Sequence, residues 1–446
     1  MFGLFSPRLP LDTGAKVWAE RRFRDLCRVP GLSSIRTVDV LMPGSSELPT
    51  DYGGTDHCID QLFGLVCRRM GLDSSQIDLL ADSEENLPEA LGLYVAPHDE
   101  PDRPQIIYCE SLRSEPDRLL ATLAHEAAHE VLRRQLPEVY LDDDMELCTD
   151  MLPVLYGLGV FIANSTLRET SETISNWYYW SLSKSGYLTS EVFGYSLALF
   201  AWVREDDAPS WLNRLRPDAA GSCAAGLKYL RKTSDCVFSR ELDERWPPAF
   251  NDSQLQSELQ LRSKTRQANA LIELSSRPSS SANLQSEIVP HLQSSDPDVR
   301  LLALESLRAV EKPDESTFFR ILEAEHDVDT RVRRLLPSLI RPDSCETEFA
   351  IRSLTRLIGD SDPAVASGAA AALAAFTKSP EVDNAFPAAV DLLKRLLKSG
   401  QDSQIVAVLK LMHGLVDDLA AWGEDQFAAD DERLLAFRHY HAMLDS

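Results

Sequence analysis

The sequence predicts a mostly helical chain: an α+β N-terminal domain, with a small sheet, one long helix and further helices, followed by an all-α domain of repeated helices. Three observations carry this. Short β-branched and aromatic runs are confined to residues before 111. From Pro116 onward the apolar residues recur at the helical period almost everywhere. Beyond residue 284 a unit of constant length repeats. At 446 residues the chain also exceeds the size at which single cores stop growing, so more than one domain is expected.

Taken in order, Val38–Met42 (VDVLM), Ile77–Ala81, Leu91–Ala96 (LGLYVA) and Gln105–Cys109 (QIIYC) read as strands. A helix over Glu115–Gln135 follows. Ser114 is its expected N-cap, Pro116 lies in its first turn, Arg133 and Arg134 in its last, and Pro137 stands beyond it. Ser190–Arg204 is apolar around most of its circumference, as a core helix should be. After Trp246, Pro247 and Pro248 the character shifts to a polar helix near Gln254–Leu274 and a loop-like SSRPSSSAN at Ser275–Asn283. The expected division is therefore 1–250 as first domain, 251–283 as helical linker and loop, and 284–446 as repeat domain.

In that last part, DPDVRLLALESL begins at Asp296 and DPAVASGAAAAL at Asp362, with HDVDTRVRRLLPSL between them. Val299, Val332 and Val365 are thereby spaced 33 and 33 residues apart. Each turn follows an apolar helix (EIVPHL, TFFRIL, SLTRLI), so antiparallel helix pairs should stack into a solenoid. These residues resemble HEAT-like repeats, in which a DPxV turn caps the second helix of each pair. The resemblance covers about Leu284 to Leu419, and the unit near QDSQIVAVLKLM fits the spacing poorly, leaving the repeat number open by one.

Charge excludes some functions. Lys+Arg of 45 against Asp+Glu of 70 gives 45 − 70 = −25, which disfavours nucleic acid as a partner because a polyanion is repelled. The apolar stretch Met151–Asn164 is shorter than the roughly 18 residues a membrane span needs, so no membrane association is expected. The start MFGLFSPRLPLD lacks a secretory pattern, and the eight scattered cysteines contain no CxxC pair. Together they predict reduced thiols in a cytoplasmic protein. The acidic tail Asp417–Ser446 reads as a soluble cap on the last repeat.

The chemistry-bearing motif is HEAAH, His125 to His129. Two histidines four apart lie on one helical face, so both imidazoles can reach one cation with Glu126 beside them. A catalytic zinc needs a third protein ligand and an open fourth position. LDDDMELCTD, Leu141–Asp150, offers Glu146 and, four residues on, Asp150. This pairing of HExxH with a following ExxxD helix resembles the gluzincin branch of zinc metallopeptidases. The resemblance spans Glu115 to Asp150 and the strands before it, and implies a zincin-like N-terminal domain. It further implies Zn2+ held by His125, His129 and Glu146, Glu126 as general base, and Asp150 as partner of the His125 imidazole. Asp142, Asp143 and Asp144 read as a solvated run or an N-cap, with a ligand role for one of them left open. Cys148 is turned away from Glu146 by about 200° on a helix and should pack inward.

The resemblance also implies peptide hydrolysis by metal-activated water, an oxyanion donor from later helices (Tyr195, Tyr187 or Tyr179), and a substrate strand added to a sheet edge, for which QIIYC is the natural candidate. A peptide or protein substrate, and a protein partner on the repeats, follow. Two alternatives stay open: a non-catalytic scaffold with a vestigial or structural site, and a zinc hydrolase acting on another carbonyl.

Overall fold

A computed structural model of the chain describes residues 9, 11–87, 91–96, 103–165, 188–240, 250–342, 347–376, 378–399, 401–427 and 430–444. The chain is mostly helical, with one three-stranded sheet, and it divides into two compact units, 1–248 and 249–446. No described helix is long and apolar enough to cross a membrane.

In the first unit, β1 (Asp78–Asp82), β2 (Gly92–Val95) and β3 (Gln105–Cys109) form a sheet of order β1-β3-β2. β3 pairs parallel with β1 and antiparallel with β2, with Ile107 opposite both Leu80 and Leu93. Ile106 and Tyr108, alternate residues of the central strand, are buried, as the period-2 pattern requires. The expected strand at Val38–Met42 does not form. Its backbone bonds elsewhere: the carbonyl of Asp39 accepts from the Arg69 guanidinium (2.7 Å) and that of Val38 from Arg204 (2.8 Å), while the Leu41 N–H donates to the Gly157 carbonyl (2.9 Å). Without a neighbouring strand, the β-rich run has no ladder to join.

The sheet packs on the helix Pro116–Gln135, here called the motif helix, which is the centre of the unit. Leu119, Leu120, Leu123, Ala124, Ala127, Ala128, Val131 and Leu132 are all fully buried, each leucine contributing about 1.5–3 kcal/mol of burial. Pro116 opens the helix, preceded by Glu115 and not by the expected Ser114 at the cap position. Ser114 belongs to a 3-10 turn, Glu110–Ser114, and its hydroxyl donates to the Ser111 carbonyl (3.1 Å).

The helix Met145–Leu155, here the carboxylate helix, lies against the motif helix. It is also fixed to the N-terminal helix Thr13–Leu26, where Arg22 donates to Asp142 (2.7 Å) and Asp144 (2.7 and 2.8 Å), and the Trp18 indole donates to Asp144 (2.6 Å). The chain leaves it through Gly157, at φ +75°, whose missing side chain lets the Asp39 carbonyl approach; an added Cβ would sit 2.4 Å from that oxygen. The helix Ser190–Val203 is buried without interruption from Val192 to Val203, in keeping with its all-round apolar sequence.

In the second unit, residues 251–283 pack with the helices that follow and do not form a linker. The expected single polar helix is two, Asp252–Leu259 and Lys264–Ser275, because Ser263 caps the second by accepting from the Arg266 N–H (3.1 Å). Part of the loop-like SSRPSSSAN is itself a short helix, Pro278–Asn283. Asp296, Asp329 and Asp362 each cap the helix after them, accepting from the backbone N–H of Asp298 (3.0 Å), Arg331 (2.9 Å) and Val365 (3.0 Å). Val299, Val332 and Val365 lie in the core. A second recurrence follows the same period. Arg300 pairs with Asp327 (2.7 Å) and Arg333 with Asp360 (2.8 Å), and each guanidinium also donates to a carbonyl before its own helix, that of Ser294 or Asp327 (2.8 Å each).

Candidate metal centre

The four-residue spacing on the motif helix sets His125 and His129 one turn apart, and the carboxylate helix brings Glu146 to face them. Glu146 Oε2 lies 3.4 Å from His125 Nε2 and 3.6 Å from His129 Nε2. One donor atom from each of the three falls within 4.8 Å of the others. A tetrahedral ion with ligand bonds of about 2.1 Å separates its donors by about 3.4 Å, so these residues fit a single zinc-sized cation. They are the only such group among the described residues.

Asp150 supports this set from behind. It is 1% exposed; one oxygen lies 2.8 Å from His125 Nδ1 and the other accepts from the Leu188 N–H (3.1 Å). That contact fixes the imidazole with Nε2 toward Glu146. Thr149 reinforces it, its hydroxyl donating to the Glu146 carbonyl (2.6 Å) and lying 3.4 Å from His125 Nε2.

Glu126 is almost fully buried beside the cluster, 3.9 Å from His129 Nε2. Burial pushes its carboxyl up to about 7; the His125 charge pulls against that, Glu146 adds to it, and a bond from the Tyr94 backbone lowers it. His129 is driven down to about 4 by burial and by the neighbouring His125 charge, and so is neutral, the form that ligates metal. Burial disfavours charge on His125 as well, yet the bonds to Asp150 and Glu146 hold its pKa well above the usual imidazole value.

β2 supplies features the sequence reading passed over. Gly92 faces the motif helix, and a Cβ there would lie 2.6 Å from both Glu126 Oε1 and Thr122 Cγ2, so only glycine lets the strand and the carboxylate meet this closely. Two residues on, the Tyr94 ring stacks on His129 (centroids 5.6 Å apart, planes 6° apart), while its hydroxyl bonds to the fully buried Glu130 and accepts from Arg133 Nε (3.0 Å). The sequence signal was present in the alternation of GLYV, with Leu93 and Val95 exposed on the opposite face, but spacing alone does not say which helix the inward face meets.

The other sequence candidates stand apart from the cluster. Asp142 and Asp144 are held by Arg22, and Cys148 is fully buried with its thiol pushed well up by burial. Tyr195 is enclosed among helices and donates to Glu20 (2.5 Å); Tyr179 and Tyr187 lie outside the described residues. QIIYC is not an edge. It is the central strand, paired on both sides, and among the described residues it is β2, beside the motif helix, that has a strand partner on one side only. A cleft of about 350 Å³ runs along β2 and the motif helix, lined by Leu91–Tyr94, Arg118, Thr122, His125, Glu126, His129, Tyr140 and Glu146.

No family model matches the chain, and no curated protein or solved structure does.

Proposed function

We propose that residues 1–248 form a zinc-dependent metallopeptidase of the gluzincin type, and that the second unit is a HEAT-like solenoid that binds protein partners. The observation that carries the first part is the convergence of His125, His129 and Glu146 at the spacing of one tetrahedral ion, with a buried carboxyl poised near neutrality beside them. Three ligands opening on a cleft suit a catalytic site, whereas a structural zinc site is closed by four.

In this reading His125, His129 and Glu146 hold Zn2+, which when bound supplies Lewis acidity and a water of lowered pKa. Glu126, held beside the three residues, takes a proton from the attacking water and returns it to the leaving amine. Asp150 keeps His125 oriented, and the Tyr94 ring keeps His129 in place. The peptide lies along β2, where Gly92 allows close approach to Glu126. The setting is the cytoplasm, in keeping with seven buried cysteine thiols.

Glu126→Gln tests the reading. Metal content should match that of the unaltered protein, while peptide hydrolysis falls by about 10³-fold or more as the general base is lost. Hydrolysis that persists in this variant would remove Glu126 from the chemistry and the peptidase mechanism with it.

A further inference from the structure

The cleft continues along the motif helix beyond the ionisable cluster. Arg118 lies seven residues before His125, hence on the same face, and lines the same cleft. It is the one Lys or Arg among the described lining residues, in a cleft that otherwise presents the carboxyls of Glu126 and Glu146.

Its guanidinium is half used. Nη1 donates to both oxygens of Glu115 (3.0 and 3.1 Å), whereas Nε is buried with no hydrogen-bond partner. The bonds to Glu115 leave Nη2 uncommitted, and since Nε has no exposed surface, Nη2 is the nitrogen that can donate a charge-assisted bond to a carboxylate in the cleft. Glu115 is 41% exposed, so its pairing orients the guanidinium more than it neutralises it.

Position gives the register. Arg118 precedes Glu126 by eight residues, about 12 Å along a helix, which extended peptide covers in about three to four residues. β2 runs from Gly92, against Glu126 and Thr122, to Tyr94, over His129, and so advances toward the C-terminal end of the motif helix. A peptide added antiparallel, the better pairing, runs the other way and carries its C-terminal part toward Arg118.

We propose that Arg118 is a specificity determinant of this site, its guanidinium donating through Nη2 to a substrate carboxylate about three residues to the C-terminal side of the scissile bond. The carboxylate comes either from an Asp or Glu side chain or from the peptide's own terminus. The inference rests on the metallopeptidase reading above.

The test uses the full-length, zinc-loaded protein and two peptide mixtures of matched random sequence, one amidated at the C-terminus and one with the free acid, with cleavage sites read by mass spectrometry. Cleavage should be enriched where Asp or Glu lies about three residues past the cut, seen in both mixtures, or where the chain ends there, seen in the free-acid mixture alone. For individual peptides, Arg118→Gln should lower the ratio of kcat/KM on acidic to neutral substrates by about 10–100-fold, the worth of a charge-assisted hydrogen bond. Arg118→Lys, which keeps the charge without the planar guanidinium, should lower it less, and decides the matter should the glutamine variant fail to fold. Cleavage with no acidic preference, or a ratio unmoved in both variants, overturns the assignment and leaves the peptidase standing. A protein that cleaves neither mixture above the Glu126→Gln background removes both.

Discussion

Glu126 touches β2 through one glycine, and its proton affinity depends on that contact. The Tyr94 backbone bond and the absence of a side chain at Gly92 hold the carboxyl against β2, while burial raises it to about 7. A methyl group at residue 92 has nowhere to go, because Thr122 and Glu126 are both 2.6 Å from its position. Gly92→Ala should therefore displace the proposed base and lower kcat/KM by about 10²-fold while the zinc content stays at the unaltered level, since the atoms nearest an added methyl belong to Glu126 and Thr122 and not to the proposed ligands. Hydrolysis rates paired with metal analysis check this; unchanged rates would show that Glu126 does not depend on the strand. At this scale helical spacing puts His125 with His129 and Glu146 with Asp150 on shared faces, while the expectation that the two pairs meet, with Glu126 beside them, came from the gluzincin resemblance. Gly92, Tyr94 and Arg118 were not legible, because their importance comes from which strand a helix meets, a long-range fact that no local period encodes.

Among the elements, those with sharp local punctuation were legible and those defined by a partner were not. The motif helix has Pro116 at its start and arginines at its end, and formed as expected apart from its cap residue. Val38–Met42 has the composition of a strand and lacks a neighbour, and QIIYC was taken for an edge because β2 lies before it in sequence yet beyond it in the sheet. In the second unit the Asp-Pro turns were visible, whereas the pairing of Arg300 with Asp327 and Arg333 with Asp360 was hidden by separations of 27 residues. That pairing should matter to stability. Arg333→Ala leaves the Asp327 carbonyl without the guanidinium and Asp360 with only the Asp362 N–H, and should cost about 1–3 kcal/mol, read from chemical denaturation. Acid should have a related effect. The bond from Arg334 holds Asp362 below its ordinary 3.8 against the burial that opposes it, and at Asp360 burial is the largest effect but is outweighed by the Arg333 bond, the Asp362 N–H and the Arg333 charge together. A depressed carboxylate contributes stability above its unfolded pKa and loses it as pH falls through the folded one. These two carboxylates should thus contribute fully above about pH 4, and the second unit should lose stability progressively below it; a denaturation midpoint unchanged between pH 4 and pH 2 would contradict this.

For the whole molecule, composition set the class and repeats set the organisation. The change of character after Pro248 matches the division between units, but residues 251–283 belong to the second unit because their helices bury apolar faces there, Leu255, Leu259, Leu271 and Leu274 among them. In the solenoid proposed for this unit no helix pair buries its apolar face alone, which would account for the neighbouring helices covering it. The surplus of 25 negative charges makes the cation at Arg118 the exception in its surroundings, and it lies in the cleft where a substrate would pass. All of this turns on the metal. The most direct measurement is elemental analysis of the untagged protein beside His129→Ala, Glu146→Ala and Glu126→Gln. About one zinc per chain, lost in the first two variants and kept in the third, is the predicted result. A protein that takes up no zinc after reconstitution, or keeps it without His129 and Glu146, would contradict the account.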